Sequence, residues 1–141
     1  MVHTFIPVLG FHIDVYQHVN NARYLEFMEE ARWQWLENLP AFHWMQQQGI
    51  AFVVVNINYR TPAVLGDVLR IESELLHLNA KSGVISQKMV RTADEVPIVD
   101  ATLTFVCIDL STQKALPLEG ELLAHLEAFM QPPSSHDAQV A

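Results

Sequence analysis

Residues 20–38, NNARYLEFMEEARWQWLEN, carry the pattern that decides the fold. Four apolar residues recur at the i, i+4, i+7, i+11 spacing of one helix face: Tyr24, Met28, Ala31 and Trp35. Polar residues occupy the opposite side. Asn20 or Asn21 is suited to cap the amino terminus, and Pro40 marks the end. The stretch therefore predicts one long helix with a broad apolar face.

After this helix the apolar period changes to two. Alternation of apolar and polar residues predicts four long strands, in residues 53–60, 69–75, 85–90 and 99–107. Turn sequences separate them: PAVLGD (62–67), NAKSG (79–83), and Asp94-Glu95 with Pro97. A short strand is predicted before the long helix, and a second helix is predicted from about Glu119 to Met130. Short turns between consecutive strands indicate an antiparallel meander.

One long apolar helix beside a single meander has to bury itself against the concave face of the sheet. The predicted fold is therefore α+β, a hotdog fold with a long central helix, an antiparallel sheet of about five strands and a C-terminal helix. Residues 1–130 are expected to form a single domain, and the polar residues 131–141 a disordered tail. The sheet edges need cover, which favours a homodimer or a homotetramer.

Charge is distributed unevenly along the 141 residues, which have a formal net charge of −8. Overall acidity argues against a nucleic-acid partner, which a basic surface would recognise. Residues 51–93 carry five Lys or Arg against three Asp or Glu, and they form the only net-positive region. An anionic ligand is therefore expected to bind in the middle of the chain.

Cellular location is predicted from what the sequence lacks. Cys107 is the single cysteine, so an intramolecular disulfide is excluded and a reducing compartment is favoured. The amino terminus has no secretory pattern, and no apolar run approaches the ~20 residues of a membrane span. We expect a soluble, cytoplasmic protein without stable membrane insertion.

The segment FHIDVYQHVNN, residues 11–21, brings reactive side chains to the start of the long helix. Asp14 and His18 stand in a loop that leads into a helix terminus with unpaired N–H groups and a partial positive charge. Such a terminus stabilises the oxyanion that forms when a thioester or ester carbonyl is attacked. A nearby carboxylate can activate water or attack directly. Each residue taken alone has a structural explanation: Asp14 forms a turn, His18 fills a polar site and Asn20 caps the helix. Their occurrence together in one short segment before the helix favours a reactive site.

The string DVYQHVNNARYLEF (14–27), continuing through EEARW (29–33), resembles the signature of hotdog acyl thioesterases of the 4-hydroxybenzoyl-CoA thioesterase type. Further matches narrow the likeness to bacterial long-chain acyl-CoA thioesterases of fatty-acid degradation, the thioesterase III type. They are AFVVVNINYRTPAV (51–64), NAKSG (79–83), TFVCID (104–109) and QKALPLEGEL (113–122).

The resemblance implies hydrolysis of a long-chain fatty acyl-CoA to free fatty acid and CoA. In such enzymes the aspartate at the place of Asp14 acts as general base or nucleophile. Backbone N–H groups around Asn21 to Tyr24 polarise the carbonyl oxygen, and His18 and Asn20 organise the turn. CoA is part of the substrate, so no cofactor is expected.

The CoA phosphates need positive charge. In hotdog thioesterases the turn near Lys81 and Ser82 lies by the CoA groove, often contributed across a subunit interface. We therefore take Lys81 as the first candidate for phosphate binding, followed by Arg60 and Arg91.

The acyl group needs an apolar channel. Phe42, Trp44 and Met45, just beyond the long helix, are candidate lining residues. Phe27 and Met28 on the helix are further candidates, although packing in the core is the favoured role for this pair.

Two other functions remain open on the sequence. One is hydrolysis of acyl groups on acyl carrier protein, and the other is a non-catalytic acyl-CoA binding module. The carboxylate of Asp14 favours catalysis, because binding alone gains nothing from a carboxylate beside a thioester. The seven histidines form no i, i+4 pair and no HExxH string, so no metal is expected.

Overall fold

The computed structural model describes residues 1–37 and 49–130 of the chain. Its strands are β1 (Val2–Pro7), β2 (Gly49–Tyr59), β3 (Val68–Leu78), β4 (Gly83–Arg91), β5 (Pro97–Asp109) and β6 (Lys114–Ala115). Its helices are α1 (Asn21–Glu37) and α2 (Gly120–Met130), with a 3-10 turn over Gly10–His12. The predicted acyl-lining residues Phe42, Trp44 and Met45 and the predicted tail 131–141 lie outside the described residues.

All strand pairs form one antiparallel sheet in the order β1-β3-β4-β5-β2, with β6 paired to the end of β5. The predicted α+β hotdog fold is confirmed. The predicted meander of four consecutive strands is correct for β3, β4 and β5 and wrong for β2, which pairs with β5, while β1 takes the place beside β3. Periodicity identifies strands but does not determine which strands pair. The two-residue strand β6 was not predicted, because two residues are too few to show a period. Register shifts in the pairs β2–β5, β3–β4 and β4–β5 mark irregularities that bend and twist a sheet locally.

Helix α1 begins one residue after its cap, as the sequence predicts. The side-chain Oδ1 of Asn20 accepts the N–H of Ala22 at 3.0 Å. The predicted apolar face is buried in a single core shared with the sheet: Tyr24, Phe27, Met28, Ala31 and Trp35. α1 lies closest to β1 and β3.

Helix α2 covers the same core through Leu122 and Leu126. The N–H of Leu118, just before α2, donates to the carbonyl of Ala80 at 2.8 Å and so ties this segment to the β3–β4 turn. Within the described residues, neither helix is long and apolar enough to cross a membrane.

Candidate active site

The loop between the 3-10 turn and α1 is closed by local hydrogen bonds. Ile13 and Val19 form an isolated antiparallel bridge, and the N–H of Asp14 donates to the carbonyl of His18 at 2.9 Å. Gln17 has a φ of 66°, in the left-handed region that a tight turn uses. The turn therefore orders residues 13–19 directly before the start of α1.

The connection between β2 and β3 holds this loop in place. The N–H of Val19 donates to the carbonyl of Ala63 at 2.9 Å. The N–H of Ala63 in turn donates to the hydroxyl oxygen of Tyr24 at 3.0 Å. Because Ala63 is fully buried and bonded on both sides, the loop, α1 and the start of β3 form one rigid unit.

A cavity opens at this junction, and five of the predicted catalytic residues line it: Asp14, His18, Asn20, Asn21 and Tyr24. Arg60, predicted to bind CoA, lines it as well. The other described lining residues come from the loop and from the end of β2: Tyr16, Val19, Tyr59, Thr61 and Pro62. None of these five residues was predicted from the sequence to belong to the site.

A hydrogen bond within its own turn orients the carboxylate of Asp14 but uses only one of the two oxygens. Its Oδ1 accepts the N–H of Tyr16 at 2.8 Å, an arrangement typical of Asp two residues before the donor. Its Oδ2 accepts no hydrogen bond from the residues that the structure describes. One oxygen thus fixes the side chain, and the other is available to a water molecule or to a carbonyl carbon.

The helix terminus beside Asp14 has one unused donor. Asn20 satisfies the N–H of Ala22 through its side chain and the N–H of Arg23 through its carbonyl, at 2.9 Å. In the described part of the chain no acceptor faces the N–H of Asn21. An unpaired N–H at a helix start is suited to receive a carbonyl oxygen.

Two tyrosines form the wall opposite the loop. Tyr24 is buried, and burial is the main cause that raises the pKa of its hydroxyl, so the group stays protonated and neutral. Its ring lies 5.8 Å from the ring of Tyr59 between centroids. Tyr59 is half-exposed at the end of β2, and the signal that could have found it is an aromatic residue on the inward set of an alternating strand.

The predicted phosphate ligands lie in different surroundings. Arg60 is exposed and pairs with Asp100, with Nε and Oδ2 2.7 Å apart. Arg91 pairs with Asp67 at 3.0 Å and with Asp94 at 3.1 Å. It also donates to the carbonyl of Pro62 at 3.0 Å, so it supports the cavity wall from behind.

Lys81 and Ser82 lie in the turn between β3 and β4, at the end of the sheet opposite to Asp14. The whole of β3, 11 residues or about 35 Å, separates this turn from the loop that holds the cavity. A single chain therefore does not bring Lys81 and Asp14 together.

Other reactive groups lie away from the cavity. Cys107 is fully buried, and burial raises the pKa of its thiol to about 11, so it is a core residue and not a nucleophile. Among the residues described, no group of three His, Cys, Asp or Glu side chains could hold a metal ion.

The long helix α1 packed on a single antiparallel sheet has the architecture of the hotdog class. The profile of the thioesterase-like superfamily matches residues 9–126. The chain belongs to this superfamily.

Similar proteins extend this finding. The chain is 60% identical to the long-chain acyl-CoA thioesterase FadM of Escherichia coli, over 91% of this chain and 98% of that protein. It is 31% identical to the acyl-CoA thioesterase YbgC of Haemophilus influenzae, over 75% and 79% of the two chains. The crystal structure of the probable thioesterase YbaW from Escherichia coli has 59% identity and a TM-score of 0.83, covering 93% of this chain and 100% of that chain.

Proposed function

We propose that this protein hydrolyses long-chain fatty acyl-CoA to free fatty acid and CoA. The observation that carries the proposal is the free Oδ2 of Asp14 in the same cavity as the unpaired N–H of Asn21. The 60% identity to a long-chain acyl-CoA thioesterase supports the substrate class.

The proposed reaction uses the two groups on opposite sides of the thioester carbonyl. The N–H of Asn21 receives the carbonyl oxygen, and the partial positive charge of the helix terminus stabilises the oxyanion. Asp14 takes a proton from water, whose oxygen attacks the carbonyl carbon, or attacks that carbon itself. The C–S bond then breaks, and the thiolate of CoA leaves and is protonated. In the second route, water hydrolyses the resulting anhydride.

Proposed binding of the CoA phosphates rests on Lys81 and Arg60. Lys81 is exposed and has no carboxylate partner within the described residues, and Arg60 lines the cavity while paired to Asp100. We place Lys81 at the site of a second copy of the chain, because its own site lies at the far end of β3. We further propose a homodimer or homotetramer in the cytoplasm, where the free Cys107 thiol is kept reduced.

The first prediction is that Asp14→Asn abolishes most of the turnover of long-chain acyl-CoA. An amide oxygen still accepts the N–H of Tyr16, so the turn persists while the base or nucleophile is lost. We expect kcat to fall by about 100–10,000-fold, the range typical of a lost acid–base group. Release of CoA is followed with a thiol reagent across a series of acyl-CoA lengths.

Glu74→Gln is the matched control, because it removes an exposed carboxylate on β3 far from the cavity. It is expected to keep full turnover. Near wild-type kcat in Asp14→Asn with an unchanged fold would contradict the assignment. If the wild-type protein binds acyl-CoA but releases no CoA, the non-catalytic binding module is correct instead.

A single turnover in oxygen-labelled water tests the anhydride route for Asp14. Label in the carboxylate of Asp14 indicates an anhydride intermediate whose aspartyl carbon is attacked by water. Label only in the fatty acid product is expected for the general-base route and for an anhydride that water attacks at the acyl carbon.

A further inference from the structure

Arg91 and Asp67 form an ion pair directly behind the wall of the Asp14 cavity. The Nε of Arg91 lies 3.0 Å from Oδ2 of Asp67, and only 18% and 14% of the two side chains is exposed. Asp67 ends the connection between β2 and β3, and Arg91 is the last residue of β4. The pair therefore fastens this connection to β4.

Each nitrogen of the Arg91 guanidinium has its own partner. Besides the contact of Nε with Asp67, Nη1 donates to Oδ2 of Asp94 at 3.1 Å and Nη2 donates to the carbonyl of Pro62 at 3.0 Å. The bond to Pro62 reaches the Asp14 cavity, because Pro62 lines it. A planar group with fixed donors holds three acceptors in one geometry, which the single ammonium of a lysine does not reproduce.

Asp67 holds the same connection through further hydrogen bonds. Its Oδ2 accepts the N–H of Val64 at 2.9 Å. Its backbone carbonyl accepts the N–H of Val8, the residue after β1, at 2.8 Å. The ion pair thus fixes both Pro62 and Val64, and these are the two neighbours of Ala63.

Ala63 connects the ion pair to the Asp14 loop and to α1. Its carbonyl accepts the N–H of Val19 at 2.9 Å, and its N–H donates to the hydroxyl oxygen of Tyr24 at 3.0 Å. Val19 closes the turn that holds Asp14. Tyr24 lies in the first turn of α1, which begins at Asn21. The Asp14 loop and the start of α1 are therefore held against the same residue.

We propose that Arg91 and Asp67 are positioning residues for thioester hydrolysis. Through Ala63 they set the distance between the carboxylate of Asp14 and the N–H of Asn21. This rests on the proposed function, in which these two groups act on opposite sides of one carbonyl. A displacement of about 1 Å at a reacting centre can cost about 100-fold in rate. The charge pattern of the sequence predicts a different role for Arg91, binding of CoA phosphates, and the two roles affect different kinetic constants.

Arg91→Lys tests the proposal, and Arg70→Lys is its matched control. Arg70 also has 18% of its side chain exposed and also pairs with two carboxylates, Glu72 and Glu95. Within the described residues its guanidinium donates to these two groups and not to the cavity wall.

Because the charge of Arg91→Lys remains while the planar donor group is lost, we expect kcat for long-chain acyl-CoA to fall by about tenfold or more, with KM changed by less than about twofold. Arg70→Lys is expected to keep both constants. A rise of KM with kcat retained would overturn the proposal and assign Arg91 to CoA binding. An unchanged kcat, or an equal loss of kcat in Arg70→Lys, would overturn it as well.

Amide hydrogen exchange measured by NMR tests the connection without any activity. We expect Arg91→Lys to speed exchange at Val19 and Ala63 by about tenfold relative to amides in the centre of β5, which report global unfolding. Arg70→Lys is expected to leave this ratio at its wild-type value. An unchanged ratio in Arg91→Lys would contradict the proposal. If the ratio changes but the wild-type protein releases no CoA, the proposed function has failed and the connection has not.

Asp67→Asn gives an answer even if Arg91→Lys fails to fold. Its amide oxygen still accepts the N–H of Val64, while the ion pair with Arg91 is lost. We expect kcat to fall by about threefold or more at unchanged KM, with faster exchange at Ala63. Wild-type kcat together with wild-type exchange in Asp67→Asn would overturn the proposal.

Discussion

At the scale of single residues, His12 is buried beside the loop that holds Asp14. It is 8% exposed, and its Nδ1 accepts the N–H of Leu9 at 2.9 Å. Its ring meets the edge of Phe27 with centroids 4.7 Å apart. Burial, followed by the nearby charge of Arg23, lowers the pKa of His12 below 6.5. The neutral ring is therefore part of the folded structure.

This lowered pKa predicts a loss of stability in acid. The unfolded chain binds a proton at His12 near pH 6.5, whereas the folded chain binds it only at lower pH. The free energy of unfolding is therefore unaffected above this value and decreases as the pH falls below it. His12→Asn, whose amide oxygen can still accept the N–H of Leu9, is expected to show a shallower decrease in urea unfolding between pH 8 and 5.

The control for this experiment is His77→Asn, the same substitution at an exposed position of β3. The slope against pH is the readout, because loss of the ring contact lowers the stability of His12→Asn at every pH. Parallel curves for wild type and His12→Asn would show that His12 does not cause the acid sensitivity.

At the scale of elements, one buried glutamine joins α1 to the sheet. Gln87 on β4 is fully buried, and its Nε2 donates to the carbonyl of Met28 and to the hydroxyl of Ser73, both at 3.0 Å. Its Oε1 accepts from Arg32. Periodicity placed Gln87 among apolar residues on the inward face of β4, but only the fold shows which polar groups it meets.

Gln87→Leu is expected to lower the free energy of unfolding by about 2–3 kcal/mol, because it leaves buried polar groups without partners. Chemical denaturation measures the loss. The same change in an Arg32→Met background should cost less, because the guanidinium no longer needs an acceptor. Equal costs in both backgrounds would show that Arg32 and Gln87 are not coupled.

At the scale of the whole molecule, β2 is a free sheet edge with exposed apolar residues. Val53 and Val55 are 64% and 63% exposed, and among the described strands β2 pairs with β5 alone. Such an edge is a template for pairing with another chain. Antiparallel pairing of two β2 strands would set the Gly49 end of one copy beside the Tyr59 end of the other. The Lys81 turn of a second copy would thereby approach the Asp14 cavity.

This arrangement predicts complementation between two damaged proteins. Lys81→Glu is expected to raise KM more than it lowers kcat, since it weakens binding of the CoA phosphates. Mixed oligomers of Asp14→Asn and Lys81→Glu, formed by refolding together, contain some sites with both wild-type residues. We expect activity at low substrate to exceed the sum of the two parents.

Refolding each parent alone is the control for the complementation. If the mixture shows no gain, Lys81 of a second copy does not contribute to the Asp14 site. Light scattering on Val55→Lys tests the same edge, because a charge there should leave the chain as a monomer.

The sequence by itself determined the two helices, the long strands and the position of the Asp14 loop before α1. Hydrogen bonds within a turn and the periods of helix and strand are local, so Asn20, Asp14 and the apolar face of α1 could be assigned from neighbouring residues alone. The residues of the Asp14 loop line the same cavity because they are close together in the sequence.

Only the tertiary structure decided which distant residues meet. Strand pairing and burial join residues far apart in sequence, and periodicity shows a face but not its partner. For this reason the ion pairs of Arg91, the place of Tyr59 in the wall and the distance of Lys81 from Asp14 could not be predicted. An apolar cavity beside Arg32 likewise depends on six elements, two helices and four strands, that meet only in the folded chain.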